Sequence, residues 1–170
     1  MGRQHSSRAA LGARVMPRQL LQTVRTRDAA ETERFGAALG ARMGRGACVC
    51  LTGPLGAGKT VLVKGLCRGL GVVDAVTSPT FILMESFVGR LPIVHIDLYR
   101  LEHEREVEDI GVFDLLDGDT VLIAEWGERS PTLLDAADIE VRIDAREGTA
   151  RELQLYATRA LSRALEVLTW

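Results

Sequence analysis

Apolar positions along this chain switch between two periods, and each switch marks an element. Phe35, Leu39 and Met43 fall at helical spacing behind Asp28, with Glu31 three residues on as the partner in a capped start, and Gly44 and Gly46 close that helix. Ala47-Cys48-Val49-Cys50-Leu51 is an unbroken apolar run of strand length. Val61, Leu62, Leu66 and Leu70 then return to helical spacing, from about Lys59 until Gly71. The polar break Thr77-Ser78-Pro79-Thr80 precedes a strand over 81–87, the turn Gly89-Arg90 and a strand over 91–97, which together predict a hairpin. Residues 102–108 and the apolar cluster Val112, Phe113, Leu115 and Leu116 predict one or two short helices before Asp117-Gly118-Asp119 breaks the chain. Residues 120–124 read as a strand buried on both faces. Ile139, Val141 and Ile143, then Leu153, Leu155 and Ala157, alternate with polar residues as an antiparallel pair with one wet face. A last helix over about 158–168 completes a mixed sheet with helices on its faces, an α/β chain without internal repeats.

A chain of 170 residues suits one domain with a sizeable core better than two. The net charge of −2 hides an asymmetry: residues 1–27 carry six arginines and no acid, leaving 15 basic against 23 acidic residues, a net of about −8, in the remainder. Arginines scattered among Ser, Ala and Gly without aromatic residues predict a disordered basic extension over 1–25, followed by a single domain over 26–170. An acidic body disfavours direct contact with nucleic acid. No apolar segment approaches the roughly 20 residues of a membrane span and none resembles a secretory signal, so no membrane association and a cytoplasmic location are expected. Cys48, Cys50 and Cys67 form no zinc pattern; alternation would put the first two on one strand face as small hydrophobes.

Between the first apolar strand and its following helix lies Gly53-Pro54-Leu55-Gly56-Ala57-Gly58-Lys59-Thr60, which fits the phosphate-binding pattern G-x-x-x-x-G-K-[ST] in the strand–loop–helix context that it requires. Glycines allow backbone torsions that aim successive N–H groups at a phosphate, and the helix adds its positive N-terminal end. Lys59 would balance charge on the outer phosphates, and the Thr60 hydroxyl suits Mg²⁺ held mostly by water and phosphate oxygen. In such sheets the ligand lies at the carboxyl ends of the strands. Glu125 closes the strand 120–124 and Asp97 closes the strand 91–96, and either can serve as a metal-binding or catalytic acid, or else pair with Arg100 or Arg129. Thr77, Ser78 and Thr80 offer hydroxyls beside a rigid proline, as a switch loop or a plain turn. His95 reads as a core histidine and Trp126 as packing or part of a partner surface.

Leu55 followed by Gly56-Ala57-Gly58-Lys59-Thr60, then Ser78-Pro79-Thr80-Phe81, then His95-Ile96-Asp97-Leu98-Tyr99-Arg100-Leu101, then Glu125-Trp126, in this order and spacing, resembles the bacterial TsaE family, formerly called YjeE, from about residue 26 to the end. The resemblance implies a P-loop NTPase-like three-layer fold, with a mixed, mostly parallel central sheet and a C-terminal antiparallel pair. It implies the ATPase component for N6-threonylcarbamoyladenosine at tRNA position 37, acting with TsaD, the transferase, and TsaB, with tRNA met only indirectly through the complex. Carried over by position, Gly56, Ala57, Gly58, Lys59, Thr60 and Val61 would contact ATP, Thr60 and Glu125 would coordinate Mg²⁺, and Asp97 with Lys59 would serve hydrolysis. Thr77 to Thr80 would take the place of a switch that senses the third phosphate, and Asp28 to Thr32 lies where the family approaches adenine. Pro54 and Val61 depart from residues often found at their places, an acid and a second threonine.

The expected chemistry is in-line attack of water on the γ-phosphate, slow in the isolated chain and coupled to the partners. Two rivals share the loop: a small-molecule kinase, which lacks here the closely spaced arginines of a phosphate-clamping lid, and an adaptor that binds ATP for assembly with negligible turnover.

Overall fold

A computed structural model describes residues 15–76, 83–166 and 168–170. The Thr77–Thr80 segment, the start of the strand expected at 81 and residues 1–14 of the basic head lie outside the described residues. Seven strands form one sheet: β1 (Arg18–Thr26), β2 (Cys48–Thr52), β3 (Met84–Val88), β4 (Pro92–Asp97), β5 (Val121–Glu125), β6 (Ile139–Ala145) and β7 (Arg151–Thr158). Their order is β1-β7-β6-β2-β5-β4-β3. The four central strands run parallel, with Cys48 beside Leu122, Val49 beside Ile139 and Ile93 beside Val121. Both edges are antiparallel: β3 and β4 make the expected hairpin, and β6–β7 make the expected C-terminal pair. The α/β class and mixed sheet agree with the sequence.

Burial on both faces explains why the central strands are so apolar. One face carries Val49, Leu51, Val121, Ile123, Val141 and Ile143 against helices α1 (Ala29–Gly40) and α2 (Lys59–Gly69), whose Phe35, Leu39, Leu62 and Leu66 are fully buried. The other face carries Cys48, Cys50, Ile96, Leu122 and Ala124 against α3 (Glu104–Asp109), a 3₁₀ turn over Val112–Asp117 and α4 (Pro131–Ala136). Cys48 and Cys50 share that face as buried residues packed like small hydrophobes, as alternation requires. A short C-terminal helix, α5 (Arg159–Leu165), returns to the first face through Leu165. Among the described residues no helix is long and apolar enough to cross a membrane.

One boundary differs from the sequence reading. Residues 18–25, assigned there to a disordered extension, are the body of β1, an edge strand whose register with β7 runs from Arg18 opposite Thr158 to Thr26 opposite Arg151, with an irregularity between Leu20 and Gln22. The physical reason is Arg18. Its side chain is mostly buried, and Nη1 donates to the carbonyls of Leu134 and Ala137 at 2.7 and 2.8 Å, while Nη2 faces Glu140 at 3.5 Å. A cation at the carbonyl end of α4 adds a donor to the Leu134 carbonyl, which also accepts from the Ala137 amide, and complements the negative end of the helix.

Candidate functional site

The site is assembled where β2, β4 and β5 end side by side. Residues 93, 95 and 97 of β4 and 121, 123 and 125 of β5 point to the face covered by α2, because side chains alternate along a strand. The parallel register sets His95 beside Ile123 and Asp97 beside Glu125, so His95, Asp97 and Glu125 arrive together at the foot of the helix that begins with Lys59. The loop itself is bent by its glycines. Gly53 has φ +136° and its hydrogens face the Ile143 carbonyl, where a Cβ would sit 2.2 Å from oxygen; Gly58, the residue before α2, has φ +105°. Neither position accepts a side chain without strain.

Lys59 leads α2 back over this loop. Its ammonium donates to the carbonyls of Gly53 and Pro54 at 2.6 and 2.9 Å and lies 3.6 Å from the centre of the Trp126 ring. Burial pulls its pKa down, opposed by the charges of Glu128, Glu125 and Asp97. Thr60, next in line, donates its hydroxyl to Glu125, 3.2 and 3.1 Å from the two carboxylate oxygens. Glu125 is 2% exposed and also meets His95 Nε2 at 2.9 Å. A carboxylate only accepts, so Nε2 carries the proton in that bond. Asp97 is half-buried, and its Oδ1 accepts from the Tyr99 amide at 2.9 Å. Burial pushes the Asp97 carboxyl above its ordinary value; the Tyr99 amide pulls the other way and the Glu125 charge adds to the rise.

The family model described as "Threonylcarbamoyl adenosine biosynthesis protein TsaE" matches residues 26–153, the segment that carries every one of these side chains. The chain belongs to the TsaE family. It is similar to the tRNA threonylcarbamoyladenosine biosynthesis protein TsaE of Treponema pallidum, 38% identical over 128 residues that cover 75% of this chain and 95% of that protein. The TsaE proteins of Haemophilus influenzae and Streptomyces coelicolor are 40% and 44% identical, over 68% and 64% of this chain and 73% and 76% of theirs. In three dimensions it is similar to the crystal structure of YdiB from Bacillus subtilis, with a TM-score of 0.69 over 88% of this chain and 92% of that one at 24% identity, a likeness of fold. The family role is in tRNA threonylcarbamoyladenosine biosynthesis.

Of the residues singled out in the sequence of this TsaE member, Lys59 bonds to the loop 53–60, Thr60 bonds to Glu125, and Asp97 stands beside Glu125 on the neighbouring strand. Glu125 is turned inward to Thr60 and His95, so the alternative of a surface pair with Arg100 or Arg129 does not hold for it. The donor set fits Mg²⁺, since a hydroxyl and a carboxylate are hard oxygen ligands.

Three further residues complete the site: the sequence reading took Trp126 as packing or part of a partner surface and His95 as a core histidine, and it did not single out Glu128. Trp126 sits in a left-handed conformation (φ 61°), the one non-glycine among the described residues to do so, and stacks with Tyr99 at 4.8 Å between ring centres. Gly127 follows Trp126, packed so close to the sheet that an added Cβ would press 2.7 Å from Cys50 Cβ. Glu128 accepts from the Gly53 amide at 3.3 Å. His95, read as a core histidine, is fully buried, and its bond orients Glu125. Replacing His95 by alanine is expected to leave that buried carboxylate short of a donor and to lower unfolding free energy by about 2 kcal/mol, a fall in Tm of roughly 6 °C by calorimetry.

Proposed function

We propose that this chain is a Mg²⁺-dependent ATPase of threonylcarbamoyladenosine formation at tRNA position 37, working with TsaD and TsaB and resetting the transferase between cycles. The observation that carries the reading is the Thr60 hydroxyl held 3.1 Å from the buried Glu125 carboxylate, directly after a loop lysine. That pairing supports the reading, because phosphate-loop enzymes hold Mg²⁺ and nucleotide phosphates jointly with a loop hydroxyl and an acid. Gly56, Ala57, Gly58, Lys59, Thr60 and Val61 would hold the phosphates, and Thr60 with Glu125 would hold the metal. Bound Mg²⁺ supplies charge neutralisation on the outer phosphate oxygens.

The residues of the chain then divide the work. Lys59 leaves the Gly53 and Pro54 carbonyls and moves its ammonium onto the phosphates, where the loop amides add donors. Asp97, made more basic by burial, accepts a hydrogen bond from the attacking water and aligns it with the γ-phosphate. Glu125 stays fixed by His95 throughout. The family role supports tRNA modification as the destination of this energy, and an acidic body supports a route through protein partners.

The test is release of inorganic phosphate from Mg-ATP by the chain alone and with TsaB and TsaD. Stimulation by the pair is expected; phosphate moved instead to a metabolite would point to a kinase. Asp97→Asn should separate binding from turnover: ATP affinity held within about twofold, hydrolysis down about a hundredfold. The same change has a stability signature. A carboxyl whose pKa is raised on folding destabilises the fold at every pH above that raised value, and the cost fades as pH falls through it. The Asn variant should therefore melt no lower than the parent at pH 7, and hydrolysis by the parent should decline on an acid limb displaced upward from the ordinary aspartate value.

A further inference from the structure

The acids of the site all come from one flank of β2, from β4, β5 and the turn that follows β5. The other flank is the β6–β7 hairpin, which touches the phosphate loop at two points. Ile143 brings its carbonyl against Gly53, and Arg151, the first residue of β7, brings its guanidinium near Gly58, where an added Cβ would lie 3.7 Å from Nε. Gly58 is the residue from which α2 starts, the end of a helix that favours an anion.

Arg151 is held there but not neutralised. It is half-buried, paired across the sheet with Thr26 on one side and Ala145 on the other, and its Nη1 donates to the Ala150 carbonyl at 2.8 Å. The adjacent acid, Glu152, is taken by Arg25 at 3.1 Å and Arg146 at 2.7 Å. A guanidinium has five N–H donors in a planar fork suited to phosphate oxygens, and one such bond is in use here among the described residues. Lys59 by contrast lies under Trp126 on the acid side.

We propose that Arg151 is a nucleotide-positioning residue, contacting from the hairpin side the part of the phosphate chain that nucleoside diphosphates and triphosphates share. This rests on the ATP reading above. It assigns the two flanks of the loop different duties: metal and water on the β5 side, and placement of the phosphate chain on the β7 side.

Equilibrium binding of ADP and of ATP, each with Mg²⁺, to the full chain tests the assignment. Arg151→Gln keeps part of the stem near Gly58 and removes the charge; it should weaken both nucleotides by about tenfold, at an unchanged melting temperature. Arg151→Lys should regain part of that loss, and Arg45→Ala, a surface arginine paired with Asp119, should change nothing. In turnover the Gln variant should raise KM and leave kcat within about twofold. Parental affinity in the Gln variant, a loss confined to ATP, or an equal loss in the Arg45 variant would overturn the proposal while the parent still binds nucleotide. A parent that binds neither nucleotide would overturn the ATPase reading, and this assignment with it.

Discussion

Lys59→Ala is expected to lower ATP hydrolysis by at least about a hundredfold and to weaken ATP binding by roughly ten- to a hundredfold. The magnitude follows from where the ammonium sits. It is 4% exposed, bonded to two loop carbonyls, and it is the cation among three acids, Glu125, Asp97 and Glu128, whose charges all act on it. Without it the loop presents a group of carboxylates to an incoming polyphosphate, and attraction becomes repulsion. Lys59→Arg should fail to restore turnover, because a planar fork does not fit between the Gly53 and Pro54 carbonyls and the Trp126 ring as a compact ammonium does. Phosphate release and equilibrium binding of ATP check both variants, and near-parental turnover in the alanine variant would remove this loop from the chemistry.

The largest effect on stability is expected from Gly65→Ala. In an ordinary helix interior this exchange stabilises by up to about 1 kcal/mol. Here a Cβ at Gly65 would stand 2.2 Å from the Glu33 carbonyl oxygen and 2.9 Å from Gly36 Cα, and one at Gly69 would stand 2.1 Å from the Ala37 oxygen. From the opposite side, Gly36 faces the Leu62 carbonyl at 2.7 Å and Gly40 faces the Leu66 carbonyl at 2.2 Å. Four glycines thus let the backbones of α1 and α2 touch, and backbone atoms cannot rotate away as side chains do. Accommodating one methyl means prising apart the helices that bury Phe35, Leu39, Leu62 and Leu66. A loss of about 3 kcal/mol and a Tm lower by roughly 6–12 °C are expected. Gly44→Ala is the matched control: a Cβ there meets nothing within 4 Å, and its Tm should stay within about 2 °C of the parent.

What the sequence made legible was local. Asp28 caps α1 as expected, its carboxylate accepting from the Glu31 amide at 2.8 Å, and the apolar runs at 47–51 and 120–124 became the buried parallel strands β2 and β5. The loop motif, Asp97 and Glu125 declared themselves by type and by position at strand ends. What stayed hidden was set by distant partners. In β1 the sequence Arg-Gln-Leu-Leu-Gln-Thr-Val-Arg-Thr has no clean alternation, because the irregularity at Leu20 to Gln22 shifts its phase, and its anchor is a helix end more than a hundred residues away. Helix α4 is six residues long; Ser130, whose hydroxyl accepts from the Leu133 amide, and Pro131 at the first helical position were signals that could have found it. Trp126 over Lys59 and Arg151 near Gly58 arise from sheet order alone, which no local pattern encodes.

The edge strand β1 has a practical consequence. The family match begins at residue 26, where β1 ends, and stops at residue 153, inside β7. A truncated protein cut to those limits would lose the outer strand and residues 154–158 of its neighbour, taking Leu155 from beside Val141 and turning the first part of β6, residues 139–142, into a raw edge. Such edges recruit strands from other molecules. Expression of that fragment should yield aggregates and inclusion bodies, and a soluble recombinant domain should begin no later than Pro17 and run through α5.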